Sequence, residues 1–184
     1  MATVVFIQGG GAGAYEEDAL LVRDLQERLG PGIPIDYPRM PDEGDPDPAT
    51  WGPAIGEAIE AAHAPVLLVG HSIGGYLLLK QLVAEAPPVE VAAVALIAAP
   101  FPSGDPDWTF DGFELPPDFA NRLPVGTVVL LYASEDDKTV PFAHRDLYAA
   151  AIRGSRTRTT TGGHQLGNDL SQVADDILEF VSSR

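Results

Sequence analysis

Val66-Leu67-Leu68-Val69-Gly70-His71-Ser72-Ile73-Gly74-Gly75-Tyr76-Leu77-Leu78-Leu79 carries the sharpest signal in the chain. The first four residues read as a buried strand and the residues from Tyr76 onward as a helix, so Ser72 falls on an abrupt strand-to-helix turn. Backbone at such a turn is strained, and strand and helix approach only where side chains are absent, which Gly70, Gly74 and Gly75 allow. The turn exposes the Ser72 hydroxyl and puts the Ile73 amide in the first turn of a helix, where its partial positive charge can meet an oxyanion. A plain Gly-rich turn with Ser72 as helix N-cap is the competing reading. The strand before and the helix after favour the nucleophile.

The surrounding composition fits a soluble globular protein. The chain has 184 residues with 45% hydrophobic and 8% aromatic content, enough for one domain with a sizeable core. Its formal charge of −16 repels phosphate backbones and anionic membranes, so neither nucleic acid nor a membrane surface is an expected partner. With no cysteine, a disulfide framework and a thiolate nucleophile are excluded. Thr3 to Gln8 lacks the basic leader of a signal peptide, no apolar run reaches the length of a membrane span, and a cytoplasmic location is expected.

Working outward from Ser72, strand and helix patterns alternate. Thr3 to Gln8 reads as a first strand stopped by Gly9-Gly10-Gly11, and Glu16 to Leu29 as a helix with Leu20, Leu21, Leu25 and Leu29 on one side. Ile33 to Tyr37 is a short strand, Pro38 to Pro48 a loop, and Thr50 a cap for a helix from Trp51 to Ala62. After Pro65 to Gly70 and its helix come strands at Val91 to Ala98, Thr127 to Ala133 and Arg156 to Thr161. Helices follow at Phe142 to Ile152 and Asp169 to Val181, the last with Asp169 as N-cap. Arg153, Arg156 and Arg158 read as a solvated basic turn. The stretch from Pro100 to Pro124 breaks the alternation with scattered aromatic residues. This order implies an α/β, three-layer αβα sandwich on a mostly parallel six-stranded sheet, whose sites lie beyond the carboxyl ends of the strands.

Partners for Ser72 must therefore also follow strands. Serine needs a base to take its proton, and that base needs a carboxylate to fix its tautomer. His164 follows Thr161-Gly162-Gly163 at the end of the last strand, and Asp137 follows the strand ending at Ala133, with Asp136 as fallback. His63 and His144 read as surface histidines, His71 as elbow packing, and Glu135 and Asp136 as solvated loop acids. The chain order Ser72, Asp137, His164 is that of the α/β-hydrolase fold. Gly10 or Gly11 can supply a second oxyanion donor beside Ile73; a dinucleotide site there lacks the required glycine spacing.

With this elbow, Asp137-Lys138-Thr139-Val140-Pro141, Gly163-His164, and Tyr37-Pro38-Arg39-Met40-Pro41 ahead of Trp51, the chain resembles a compact α/β-hydrolase. More narrowly, it resembles the small serine-hydrolase family that includes the retinoblastoma-binding serine hydrolase and its bacterial relatives. That resemblance implies a truncated hydrolase sheet, a triad on Ser72, Asp137 and His164, no cofactor or metal, and esterase-type chemistry. The expected substrate is a small-molecule carboxylic ester. Gln8 departs from commoner hydrolases, where a histidine often precedes the glycines. A lid-like insertion over about residues 102–122 is expected to supply pocket residues Trp108, Phe110 and Phe113, with Met40 opposite. A binding protein on the same scaffold, or thioesterase or perhydrolase chemistry on the same triad, are the alternatives.

Overall fold

A computed structural model describes residues 2–102 and 104–183. Six parallel strands form one sheet: β1 (Thr3–Ile7), β2 (Ile35–Asp36), β3 (Val66–His71), β4 (Val91–Ile97), β5 (Val128–Ser134) and β6 (Arg156–Thr160). Their order is β2-β1-β3-β4-β5-β6. The chain thus turns back between β1 and β3, and the two strands carrying the glycine run and Ser72 lie side by side, with Ile7 level with Gly70. Open α/β sheets bind ligands at this kind of crevice.

Helices cover both faces, and the period of two within each strand decides which residues meet them. On one face Val5, Ile7, Leu68 and Leu96 pack with α2 (Pro48–Ala61), α3 (Ser72–Ala84) and α4 (Ala143–Ala151). On the other, Val4, Phe6, Val69 and Ile97 pack with α1 (Ala14–Leu29) and α5 (Ser171–Ser182). Burying both faces explains why β3 and β4 read as unbroken apolar runs. Each leucine fully withdrawn from water in such a core contributes about 1.5–3 kcal/mol.

Several local expectations change. In α1 the buried stripe is Ala14, Asp18, Leu21, Leu25 and Leu29, while Leu20 faces solvent. Helix α2 opens at Pro48, three residues before Trp51, because Asp47 rather than Thr50 caps it by accepting the Ala49 amide at 2.8 Å. Pro48 at the first helical position has no N–H to leave unpaired. Asp169 accepts the Ser171 amide at 2.8 Å and has extended backbone, with Leu170 between it and the first residue of α5. Arg158, although partly exposed, is paired: it binds Asp176 of α5, which also accepts the Tyr132 hydroxyl at 2.7 Å. Within the expected insertion at 102–122, short 3-10 turns occur at Pro106–Trp108 and Phe119–Arg122, and Ser103 lies outside the described residues. Among the described residues no helix is long and apolar enough to cross a membrane.

Candidate active site

Ser72 has φ 53, a left-handed conformation that a non-glycine residue adopts only under constraint. The constraint is packing. A methyl group at Gly74 would collide with the Gln8 carbonyl oxygen at the end of β1, and one at Gly70 with the backbone of Gly75. The glycines let α3 start directly against the sheet, which turns the Ser72 hydroxyl outward.

His164 is presented by a closed turn after β6. Gly162 and Gly163 have φ 94 and 68, and the Gly167 amide donates back to the Gly162 carbonyl at 2.9 Å. Asp137 is fixed as an acceptor: Oδ1 takes the amides of Thr139 at 2.7 Å and Val140 at 3.0 Å, and Oδ2 lies 2.8 Å from His164 Nδ1. Its side chain is only 2% exposed. A carboxylate accepts, so Nδ1 carries the ring proton, and Nε2 is left to accept the Ser72 hydroxyl at 2.9 Å. The three residues read from sequence are therefore brought into one hydrogen-bonded line. Burial, and then the positive charge of His71, lower the His164 pKa below the ordinary imidazole value, opposed by the hydrogen bond and charge of Asp137.

The glycine run divides its amides. Gly9 donates to Asp18 at 2.7 Å and Gly11 to the Glu43 carbonyl at 2.6 Å, while the Gly10 amide has no partner among the described residues. Gly10 and Ile73 both line the cleft at Ser72. Of the two glycines left open by the sequence, Gly11 is thus already committed. Ile73 lies in the first turn of α3. Gln8, the departure from commoner hydrolases, is fully buried: its Nε2 donates to Glu43 at 2.8 Å and its Oε1 accepts the Met40 amide at 3.0 Å. It ties the 38–48 loop to the end of β1. Met40 itself is not a pocket residue; at 2% exposure it packs in the core with Trp51. An apolar side chain beside a buried amide tether turns inward.

The cleft above Ser72 has a volume of about 440 Å³. Trp108, Phe110 and Phe113 line it, with Pro46 and Asp45 from the 38–48 loop, and Thr139 and Val140 from the loop after β5. The aromatic wall is anchored from below. The Tyr76 hydroxyl donates to the Phe113 carbonyl, and Trp108 sits edge-on to His144 at 5.1 Å. His144 is 1% exposed and not a surface histidine: its Nδ1 accepts the Phe101 amide at 2.9 Å and its Nε2 meets Asp105 at 3.0 Å. Asp136 also does more than face solvent, since it accepts the Gly163 amide at 3.1 Å and that bond holds its carboxyl below the usual carboxylate range. His63 is exposed, as expected.

The feature that sequence reading missed is a second pair behind His164. His71, buried at the end of β3, reaches Asp18 at 2.9 Å. Asp18 on the apolar stripe of α1, three residues before Leu21 and seven before Leu25, was the available signal. Among the described residues no cluster of three or more histidine or acidic side chains could hold a metal ion.

Solved structures share this architecture across nearly the whole chain. The ydeN gene product of B. subtilis is 20% identical with a TM-score of 0.75, covering 98% of each chain. Est1E of Butyrivibrio proteoclasticus, solved with ferulic acid bound, is 16% identical with a TM-score of 0.73 over 99% of this chain and 90% of its own. The CarC serine hydrolase involved in carbazole degradation is 20% identical with a TM-score of 0.72 over 100% and 92%. At these identities they establish an α/β-hydrolase fold. No curated protein sequence matches the chain. The family model described as serine hydrolase matches residues 27–169, which include Ser72, Asp137 and His164, and the chain belongs to that family.

Proposed function

We propose that this hydrolase cleaves small carboxylic esters through an acyl-enzyme on Ser72. The observation that carries the reading is the unbroken line from the Ser72 hydroxyl through His164 to Asp137, opening on an apolar cleft. In the proposed reaction Ser72 Oγ attacks the ester carbonyl while its proton passes to His164 Nε2, and Asp137 stabilises the imidazolium that results. The carbonyl oxygen gains negative charge facing the amides of Ile73 and Gly10. As the tetrahedral intermediate collapses, the ester C–O bond breaks and His164 gives its proton to the departing alcohol. Water, deprotonated by His164, then attacks the acyl carbon and the serine leaves with the proton.

Trp108, Phe110 and Phe113, set edge-to-face against one another, offer an apolar wall that suits a short aliphatic or aryl group. A fluorophosphonate probe and p-nitrophenyl acetate test the reading. Wild type should label and release nitrophenol, and Ser72→Ala should do neither. Absence of labelling in wild type would favour a binding protein on the hydrolase scaffold.

A further inference from the structure

Behind the proposed base, His71 and Asp18 are respectively 2% and 1% exposed, and the mechanism above uses neither. His71 Nδ1 lies 2.9 Å from Asp18 Oδ2, and Nε2 lies 3.0 Å from the main-chain carbonyl oxygen of His164. A carbonyl oxygen only accepts, so Nε2 must bear a proton. Asp18 takes the Gly9 amide at 2.7 Å on Oδ2 and the Gln165 side-chain amide at 3.0 Å on Oδ1. Two donors besides the ring, the Gly9 amide and the Gln165 side chain, converge on one carboxyl group and favour the carboxylate, which can only accept from His71 and so calls for a proton on Nδ1 as well. On that assignment the ring is an imidazolium, its centroid 4.9 Å from that of His164.

We propose, on the reading of His164 as the base, that His71 is a positioning residue. Its fixed positive charge keeps the resting His164 ring neutral while its hydrogen bond holds the His164 backbone. The pair also ties three site segments together: Gly9 beside the oxyanion glycine, His71 beside the nucleophile, and the 164–165 turn carrying the base. The charged and titratable groups about the two rings are Asp18 and Glu17 from α1, Asp137 from the loop after β5, and the rings themselves. Burial disfavours the His71 charge, but Asp18 outweighs it and raises the His71 pKa; burial likewise opposes ionised Asp18, yet His71 and the Gly9 amide lower the Asp18 pKa.

Ring ¹⁵N NMR tests the charge without reference to activity. In wild type both His71 nitrogens should show imidazolium shifts at pH 7; a deprotonated ring nitrogen there overturns the proposal whether or not any variant folds. The influence on the base is read from the His164 titration midpoint. His71→Gln with Asp18→Asn, a neutral amide pair, should raise it by about half to one pH unit. His71→Gln alone should raise it further, because the buried carboxylate is left uncompensated. The acid limb of kcat/KM for p-nitrophenyl acetate should follow. Equal midpoints in all three proteins, with activity lowered uniformly across pH, would reduce His71 to packing and overturn the proposal. Moved midpoints without ester turnover in wild type would count against the esterase reading alone.

Discussion

Two histidine–carboxylate pairs lie side by side in this molecule with nearly identical contacts, 2.8 Å in one and 2.9 Å in the other, yet they are chemically opposite. In the first, the far nitrogen of His164 meets the hydroxyl of Ser72 at a cleft, a group that can give up a proton. In the second, the far nitrogen of His71 meets a main-chain carbonyl, a group that can only accept one. The carboxylate does not make a histidine a base. On the proposed mechanism what faces the other nitrogen does, and burial differs too: the His164 side chain retains 19% exposure while His71 is closed off.

Substitution of the two carboxylates should separate the pairs by a crossover. Asp137→Asn keeps an acceptor for the Thr139 and Val140 amides but offers His164 the wrong tautomer, and kcat/KM should fall about 10³- to 10⁴-fold with little change in Tm. Asp18→Ala leaves a buried imidazolium, the Gly9 amide and Gln165 without their partner, and should cost about 3–5 kcal/mol. For a chain of this length that corresponds to a Tm lower by about 6–20 °C. Thermal unfolding alongside ester kinetics checks both, and equal losses of stability and activity in the two variants would erase the distinction.

The pH dependence of stability gives a smaller and more selective signal. A histidine whose pKa is raised on folding contributes stability that is present below its unfolded value and lost as pH rises through the folded one. A carboxylate whose pKa is lowered contributes above its unfolded value and loses it as pH falls through the folded one. The Tm difference between wild type and the His71→Gln, Asp18→Asn protein should therefore be widest at mildly acidic pH, between the ordinary carboxylate and imidazole values, and narrow on both flanks. A difference flat from acid to alkaline pH would mean the pair is uncharged.

What could be read in the sequence follows from the same contrast. Ser72, Asp137 and His164 each sit just beyond a strand; β3 and β5 announce themselves as apolar runs, β6 (Arg156–Thr160) only as a polar, β-branched edge, and residue type together with position selected the three. The partners of a side chain carry no such periodicity. Asp18 to His71 spans 53 residues and joins a helix to a strand end, a contact created only when α1 folds over the sheet. His144 hides for the same reason, since Phe101 and Asp105 come to it from a stretch without regular structure. Met40 misleads in the opposite direction: its proline-rich surroundings suggest an open loop, and the Gln8 tether that turns it into the core comes from another strand. The αβα layers, the sheet's parallel order and the elbow were legible from local chemistry, whereas buried polar networks arise from tertiary packing.

The finest test lies between adjacent acids. Asp136 and Asp137 are neighbours in one loop, and both reach the turn that carries His164, but Asp137 grips the ring while Asp136 accepts the Gly163 amide from outside. Asp136 is solvent-exposed, so water can replace its acceptor, and the turn is separately closed by the Gly167 amide on the Gly162 carbonyl. Asp136→Ala should accordingly lower kcat only about two- to five-fold, consistent with one exposed hydrogen bond, and leave KM and the acid limb of the pH profile in place. A loss approaching that of Asp137→Asn would show that the turn, rather than the ring contact, sets the position of His164, and the ordering of ring over backbone in the first pair would have to be reversed.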